Sequence, residues 1–558
     1  MTSPGFVRSL YALAGLSALC LACGDDERLP PPPLEPQSPT GGSDTGDSPL
    51  PSTASGNGGG PPAHCVLDEG GDPDETGAED TGVGSFKFDV GAPQGGNDFP
   101  VDCTEVEATR SNLGCEFWAT DLPNDYRGTP MSPPASSQQF AVVVANPSAL
   151  VAADVQVYVA DEPTAVTQVS VEPGQTREIA LDPLDIEPRF GTDDGQAYRI
   201  ESSVPITAYQ FNPLDNQVQV YSNDASLLLP THALGQSYTA VTADAILLSM
   251  SPDDPEPVNS GAFVSVVATE DATTVEILPT AAVLEGPQTA TIDRGQVLTV
   301  VSEAAGSGAG NLTGTLVVAD APVAVFSGNM ATAIPAGGAC CADHIEHQQP
   351  PHEAWGTAYA LAPPPSPVAD LDDPAVYRLI AAFDNTELRY CPQAPSGAPA
   401  RLDAGQTVVF ETDQAFTVES DPDRPFSVTQ FLQSFQALSK AQPGDPAMIA
   451  TPSVGQFQRR TLVAVPAGYA VDFALIVTRG EGEVRIDGEP IPAEDFAPMG
   501  VARNSTHAFV QVPLAPGAHE IEADVPFGVT VVGFDEAVSY GYPGAAGLRV
   551  IAVPPAAG

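Results

Sequence analysis

From about residue 101 to the C-terminus, hydrophobic and polar residues alternate in short runs bounded by Gly, Pro, Asn and Asp. In an extended chain successive side chains point to opposite faces, so this period of two predicts strands with one buried face. FAVVVAN from Phe140, FVSVVAT from Phe263, YRLIAAF from Tyr377 and FALIVTR from Phe473 are the strongest examples. Shorter partners follow each of them: VQVYV from Val155, TVEIL from Thr274, ELRYC from Glu387 and EVRID from Glu483. A helical period sustained over about ten residues is hard to find anywhere, which predicts an all-β protein.

The runs recur as a set. Four segments carry an extended stretch, a proline and a second apolar stretch, and they end at Phe211, Phe326, Phe431 and Phe534. Their prolines, Pro205, Pro322, Pro425 and Pro526, are spaced by 117, 103 and 101 residues. Upstream of each lies a turn glycine, Gly174, Gly295, Gly405 or Gly517, spaced by 121, 110 and 112. An extended segment opens each set at Gly114, Gly235, Gly356 or Gly455. Two markers keeping one order and nearly one period predict four β-repeats, at 101–231, 232–352, 353–452 and 453–558.

About six strands per repeat suit tandem β-sandwich-like units of immunoglobulin-like or jelly-roll type. A β-propeller-like closed array is the alternative, less suited because a four-stranded blade needs only about 40–50 residues. Each marker proline lacks a ladder donor, which places it at an edge or in a turn between two strands. Units of this size are expected to close their cores largely within themselves and to meet through modest interfaces, as a rod. Trp118 and Trp355 occupy equivalent unit-opening segments and read as packing residues first and ligand platforms second.

The N-terminus is different. Arg8 precedes an apolar run over 9–22 that is shorter than the roughly 20 residues a membrane span needs, which predicts a signal peptide at 1–22. Ala22-Cys23-Gly24 resembles a bacterial lipobox, making Cys23 the acylated first residue of the mature chain. The pattern departs at Cys20, where a leucine usually stands, and Cys20 itself fits worse as acceptor because Leu19 precedes it. An ordinary secretory signal with a soluble product is the alternative. Residues 23–100 are Pro- and Gly-rich and acidic, and they read as a disordered linker.

Six further cysteines, an even number, read as disulfides in an exported chain: Cys65, Cys103, Cys115, Cys340, Cys341 and Cys391. Sequence proximity favours Cys103 with Cys115, and Cys391 with Cys340 or Cys341. Fifteen pairings are formally open.

Charge narrows the partners. The chain carries 72 acidic and 20 basic residues, a formal net charge of −52, so nucleic acid is an unsuitable partner. No nucleophile elbow, zinc-protease helix, phosphate-binding loop or dinucleotide fingerprint is present, and no enzymatic activity is expected. His344, His347 and His352 cluster with Cys340, Cys341 and Asp343, from which a metal site can be sketched. A disulfide-pinned loop is the preferred reading in oxidising surroundings, so no metal or other cofactor is expected there. Acidic turns around Asp253 and Asp372 offer oxygen ligands for Ca²⁺, without the spacing of an EF-hand loop.

The phrases GCEFWATDL (114–122), QFAVVVANP (139–147), SNDASLLLPTHALGQSY (222–238) and CCADHIEHQQPP (340–351), with WGTAYALAP after the last, carry a resemblance. From about Leu113 onward the chain resembles the IgGFc-binding protein N-terminal domain family, known from mucus-associated animal proteins and bacterial surface lipoproteins. The resemblance implies an extracellular interaction domain. It transfers no immunoglobulin binding, because no residue set carries over for it. The expected function is a lipid-anchored, outer-membrane surface protein that binds an extracellular protein or glycan and touches the membrane through its lipid only. A structural envelope protein without a specific ligand, or a secreted hydrolase with an unrecognised site, are the alternatives.

Overall fold

The computed structural model describes residues 65, 99–109, 111–124, 134–184, 191–193, 197–214, 222–248, 258–284, 288–304, 309–335, 342–367, 374–434 and 443–548. The signal peptide at 1–22, Cys23, most of the linker, Cys340, Cys341, Asp253 and Asp372 lie outside the described residues.

The described residues are nearly all β in class, and among them one α-helix occurs, at Cys103–Thr109. Each unit is built on a central strand: Phe140–Ala145, Ala262–Ala268, Ala375–Ala381 or Val471–Arg479. Every one is paired antiparallel on both sides, to an outer strand and, on the other side, to a long strand or, in the third unit, to the six-residue strand Phe426–Phe431. FAVVVA is buried at all six positions, which explains its unbroken apolar run. TTVEIL at Thr273–Leu278 alternates buried and exposed and lies where one face meets solvent.

The proline markers correct an expectation. They are not turns in three of the four units, because Ala197–Asn212, Leu316–Thr332 and Gly517–Asp535 run through them as single strands. In the first unit, residues 197–202 pair with Gly114–Thr120 and Ala153–Val159, whereas 207–212 pair with Phe140–Ala145 and Asp224–Leu227. Pro205 sits where the strand changes partners and passes from one sheet to the other, so the missing N–H interrupts no ladder. In the third unit the chain breaks there instead, between Phe416–Glu419 and Phe426–Phe431, with Pro425 just before the second piece.

Gly174, Gly295 and Gly405 turn into the outer strand with φ of +70°, +81° and +69°, a region where a side chain is strained. The fourth marker differs. Gly517 comes one strand later, and the equivalent turn uses Arg503 and Asn504 at +48° and +51°.

Cys103 and Cys115 are bonded, as sequence proximity suggested, and they tie the helix to the first strand. Cys391 is bonded to Cys65, which corrects its expected pairing with Cys340 or Cys341. Proximity along the chain failed because the link spans 326 residues and is made by a tertiary contact.

The largest correction concerns how the units meet. The last strand of each, Asp224–Leu227, Asp343–Gln348, Met448–Ala450 and Val538–Pro543, lies beside the last strands of two others. The first touches the second and fourth, and the third touches the same two, so the four form a closed ring rather than a rod. At the seam, Asn112 N donates to the Ala546 carbonyl at 3.1 Å and Gln458 Nε2 donates to Asn112 Oδ1 at 3.2 Å, joining the first unit to the last.

The cores follow the ring. One cluster runs from Phe117 and Tyr209 of the first unit through Phe326 of the second to Tyr540 and Tyr542 of the fourth. Another joins Ile345 and Trp355 to Phe431 and Met448, and two more join the third unit to the fourth. The sandwich reading of each unit stands. Closure comes from apolar residues on strands buried on both faces, where a two-residue pattern does not say which neighbour covers the outer side.

Candidate functional site

The ring centre gathers buried polar residues from all four units. Asp224 is fully buried and its carboxylate accepts main-chain N–H donors from all four units: Ala225 at 2.8 Å, Glu346 at 3.1 Å, Met448 at 3.0 Å and Gly541 at 3.4 Å. Both oxygens are used, two donors on each, which matches the acceptor capacity of a carboxylate. Burial pushes this carboxyl well above its ordinary range, against the pull of the Met448, Ala225 and Glu346 N–H groups.

Glu346 reaches from the second unit into the first. Its Oε1 accepts from Gln210 Nε2 at 2.9 Å, and Gln210 Oε1 accepts from Thr120 N at 3.1 Å. Its Oε2 lies 3.2 Å from His344 Nε2. Burial raises Glu346 to about 8 and lowers His344 to about 3, so at neutral pH the pair is an uncharged carboxylic acid beside a neutral imidazole. Burial, and then the nearby Asp445 carboxyl, push Asp343 well above the carboxylate range.

These shifts predict a pH dependence. A carboxyl with a raised folded value contributes stability fully below its unfolded value of 4.5 and loses it as pH rises towards 8. Buried histidines work the other way. His344 and His347, lowered to about 3, and His352 and His507, lowered to about 4, contribute above 6.5 and lose that contribution as pH falls to those values. Between pH 6.5 and 8 the histidines of the unfolded chain still release part of their protons, which offsets the Glu346 loss, while the raised Asp224 and Asp343 act in the same direction as Glu346. The Glu346 contribution is therefore read as a difference: in urea unfolding across that window, stability should depend more positively on pH in Glu346→Gln, which keeps the acceptor for Gln210 and offers a donor to His344, than in the unsubstituted protein. An identical slope in the two would remove Glu346 as a source of the pH dependence.

The structure separates the metal candidates. Glu346 and Gln348 turn towards the first unit, where Gln348 Oε1 accepts from Leu229 N at 2.7 Å, and His344 shares their face of the strand. His347 lies an odd number of residues away, on the opposite face with Ile345, which packs among third-unit residues. His352 is engaged elsewhere, with its ring nitrogens 3.0 Å from Ser237 Oγ and 2.7 Å from Thr239 Oγ1. Among the described residues, no group of three or more His, Cys, Asp or Glu is placed to hold a metal ion.

Each junction has its own fastening. Arg294 donates to Glu116 Oε1 at 3.2 Å and lies 5.6 Å from the Trp118 ring, joining units one and two. Arg378 donates to the Thr242 carbonyl and stacks on Phe431 at 5.3 Å, joining two and three. Arg503 donates to the Thr357 and Ser420 carbonyls, both at 2.9 Å, joining three and four. Tyr209 against Tyr542 at 4.4 Å joins one and four. Trp118 and Trp355 are both buried in clusters that cross unit boundaries.

Sequence reading missed Asp224 and these arginines. A signal for the first was present: Asp224, Asp343 and Asp445 open three of the four ring strands or their approach, spaced by 119 and 102 residues, close to the repeat period. For the arginines there was none, because their partners lie in another repeat.

Among the described residues, a groove of about 640 Å³ lies on the fourth unit. Its walls are Ile486 and residues 489–492 on one side and Phe509–Pro513 on the other, with Glu489 and Asp495 at the rim. This volume falls within the roughly 300–1,000 Å³ range of ligand sites.

The family model described as IgGFc binding protein matches residues 224–533, or 310 of the 558 residues, beginning at the carboxylate on which the four units converge. No curated protein matches the chain.

Proposed function

The chain belongs to the IgGFc-binding protein family, and from that membership we propose that it is an exported, lipid-anchored cell-surface protein whose ring binds a protein or glycan outside the cell. The match over more than half of the chain carries this reading, since the family takes its name from binding. The lipobox-like Ala22-Cys23-Gly24 and the acidic linker after it support an anchor with a spacer. Disulfides at Cys65–Cys391 and Cys103–Cys115 suit an oxidising compartment. The net charge of −52 keeps such a surface soluble and disfavours nucleic acid and other polyanions as partners.

Cys23→Ser should release the protein from the membrane fraction and abolish fatty-acid labelling. Labelling that persists in the variant would place the acceptor elsewhere. For binding itself, full-length protein in detergent is titrated against envelope polysaccharide, mucus glycoprotein and secreted protein fractions. Saturable binding to one of them is expected, and none at all would leave a purely structural envelope role.

A further inference from the structure

We propose that the groove on the fourth unit is a strand-addition site for an extended segment of another protein, one with alternating apolar and basic side chains. This rests on the binding function proposed above and names the partner's chemistry.

The outer strand Ser505–Leu514 is paired along its length with the central strand Val471–Arg479. On its other side Ala497–Ala502 covers it only as far as Phe509, which pairs with Ala497. Pro513 faces Phe473 and has no N–H to give it, so its main chain points away from the central strand. By the two-residue period, Gln511 points the same way as Pro513 and Phe509. Gln511 N–H, Gln511 C=O and Pro513 C=O therefore face the groove, and among the described residues no strand lies beside them. The Gln511 side chain is held out of the way, donating to the Pro363 carbonyl at 3.1 Å.

The protein already adds a strand at the matching place. In the second unit the outer strand Val297–Val301 accepts Gly191–Asp193 from the first unit, in the register Val297↔Asp193, Leu298↔Thr192 and Thr299↔Gly191. Thr299 faces Ser265, the third residue of FVSVV, and Gln511 faces Leu475, the third residue of FALIV. The edge that a neighbouring segment fills in the second unit is thus open in the fourth. Unpaired main chain at a sheet edge is the template on which an extended peptide docks.

The walls define the side chains. Ile486, Ile491 and Val512 are half-buried, pack against one core cluster and line the groove with Pro490 and Pro492, giving apolar contact on one face of an added strand. Glu489 and Asp495 are exposed at the rim, and no Lys, Arg or His lines it, which favours basic residues at the alternate positions.

The test uses full-length protein in detergent and a capped hexapeptide of alternating valine and lysine. Saturable binding is expected, with slowed amide deuterium exchange in the segment containing Gln511. A peptide N-methylated on its edge-facing amides should bind at least tenfold more weakly, as should the lysine peptide to the Glu489→Lys, Asp495→Lys double variant, both positions being exposed. Equal binding of the N-methylated peptide, equal binding of a valine–glutamate peptide, or no change in exchange at Gln511 would each overturn the proposal. Full binding of an extracellular partner by the double variant would remove the groove as the site while leaving the binding function intact.

Discussion

Replacing Asp224 with alanine is expected to destabilise the protein by about 4 kcal/mol or more, the range reached when a buried hydrogen-bond network is broken. The truncation strands four buried main-chain N–H groups, those of Ala225, Glu346, Met448 and Gly541, one from each unit. Each buried donor left without an acceptor costs about 1–3 kcal/mol, moderated where the strands relax towards one another. Asp224→Asn should be little better, because its amide turns a donor towards two of those donors. Since the donors come from all four units, the loss should also split a single unfolding transition into several. Asp423→Ala is the control, since Asp423 is an exposed turn residue, and it should stay within about 0.5 kcal/mol. Urea unfolding at neutral pH reads all three, and a loss below about 1 kcal/mol for Asp224→Ala would show that the ring does not depend on its centre.

Much of the fold could be read from the chain because strand patterning is local. FAVVVAN, FVSVVAT, YRLIAAF and FALIVTR became the four central strands, and the turn glycines at 174, 295 and 405 adopt the left-handed conformations their positions demanded. What was misread depends on which residues meet across distance. The proline segments look like two strands with a turn, since a proline cannot donate. In three units the backbone instead stays extended and exchanges one sheet for the other at that residue. Gly517 keeps the repeat spacing yet sits after the outer strand, because Arg503 and Asn504 make the turn in its place.

The same distinction holds for the site. CCADHIEHQQPP drew attention as a metal or disulfide segment by composition. Its Glu346 and His344 are instead a buried, uncharged pair facing Gln210 of another unit. A strand that alternates His, Glu and Gln on one face with Ile and His on the other cannot turn both histidines to one ion, which composition does not reveal and register does. Asp224 lies in SNDASLLLPTHALGQSY, a phrase that carried the family resemblance, but its immediate neighbours, an asparagine before it and an alanine and serine after it, mark no buried carboxylate. Only ring closure places four N–H groups around it.

Ring closure is probed by a fragment spanning residues 354–558. In the whole protein the fourth unit's Tyr540 and Tyr542 pack on Phe211 and Tyr209 of the first, at 5.7 and 4.4 Å, and Met448 of the third packs with Ile345 of the second. Removing the first two units uncovers these aromatic and aliphatic faces together and deletes Asp224. The reference is the full chain carrying Cys391→Ser, because the fragment lacks Cys65 and with it one disulfide. Circular dichroism with a thermal scan should show the fragment aggregated or without a cooperative transition while the reference melts cooperatively. A cooperative β-type melt of the fragment close to that of the reference would contradict the ring and restore an array of independent units.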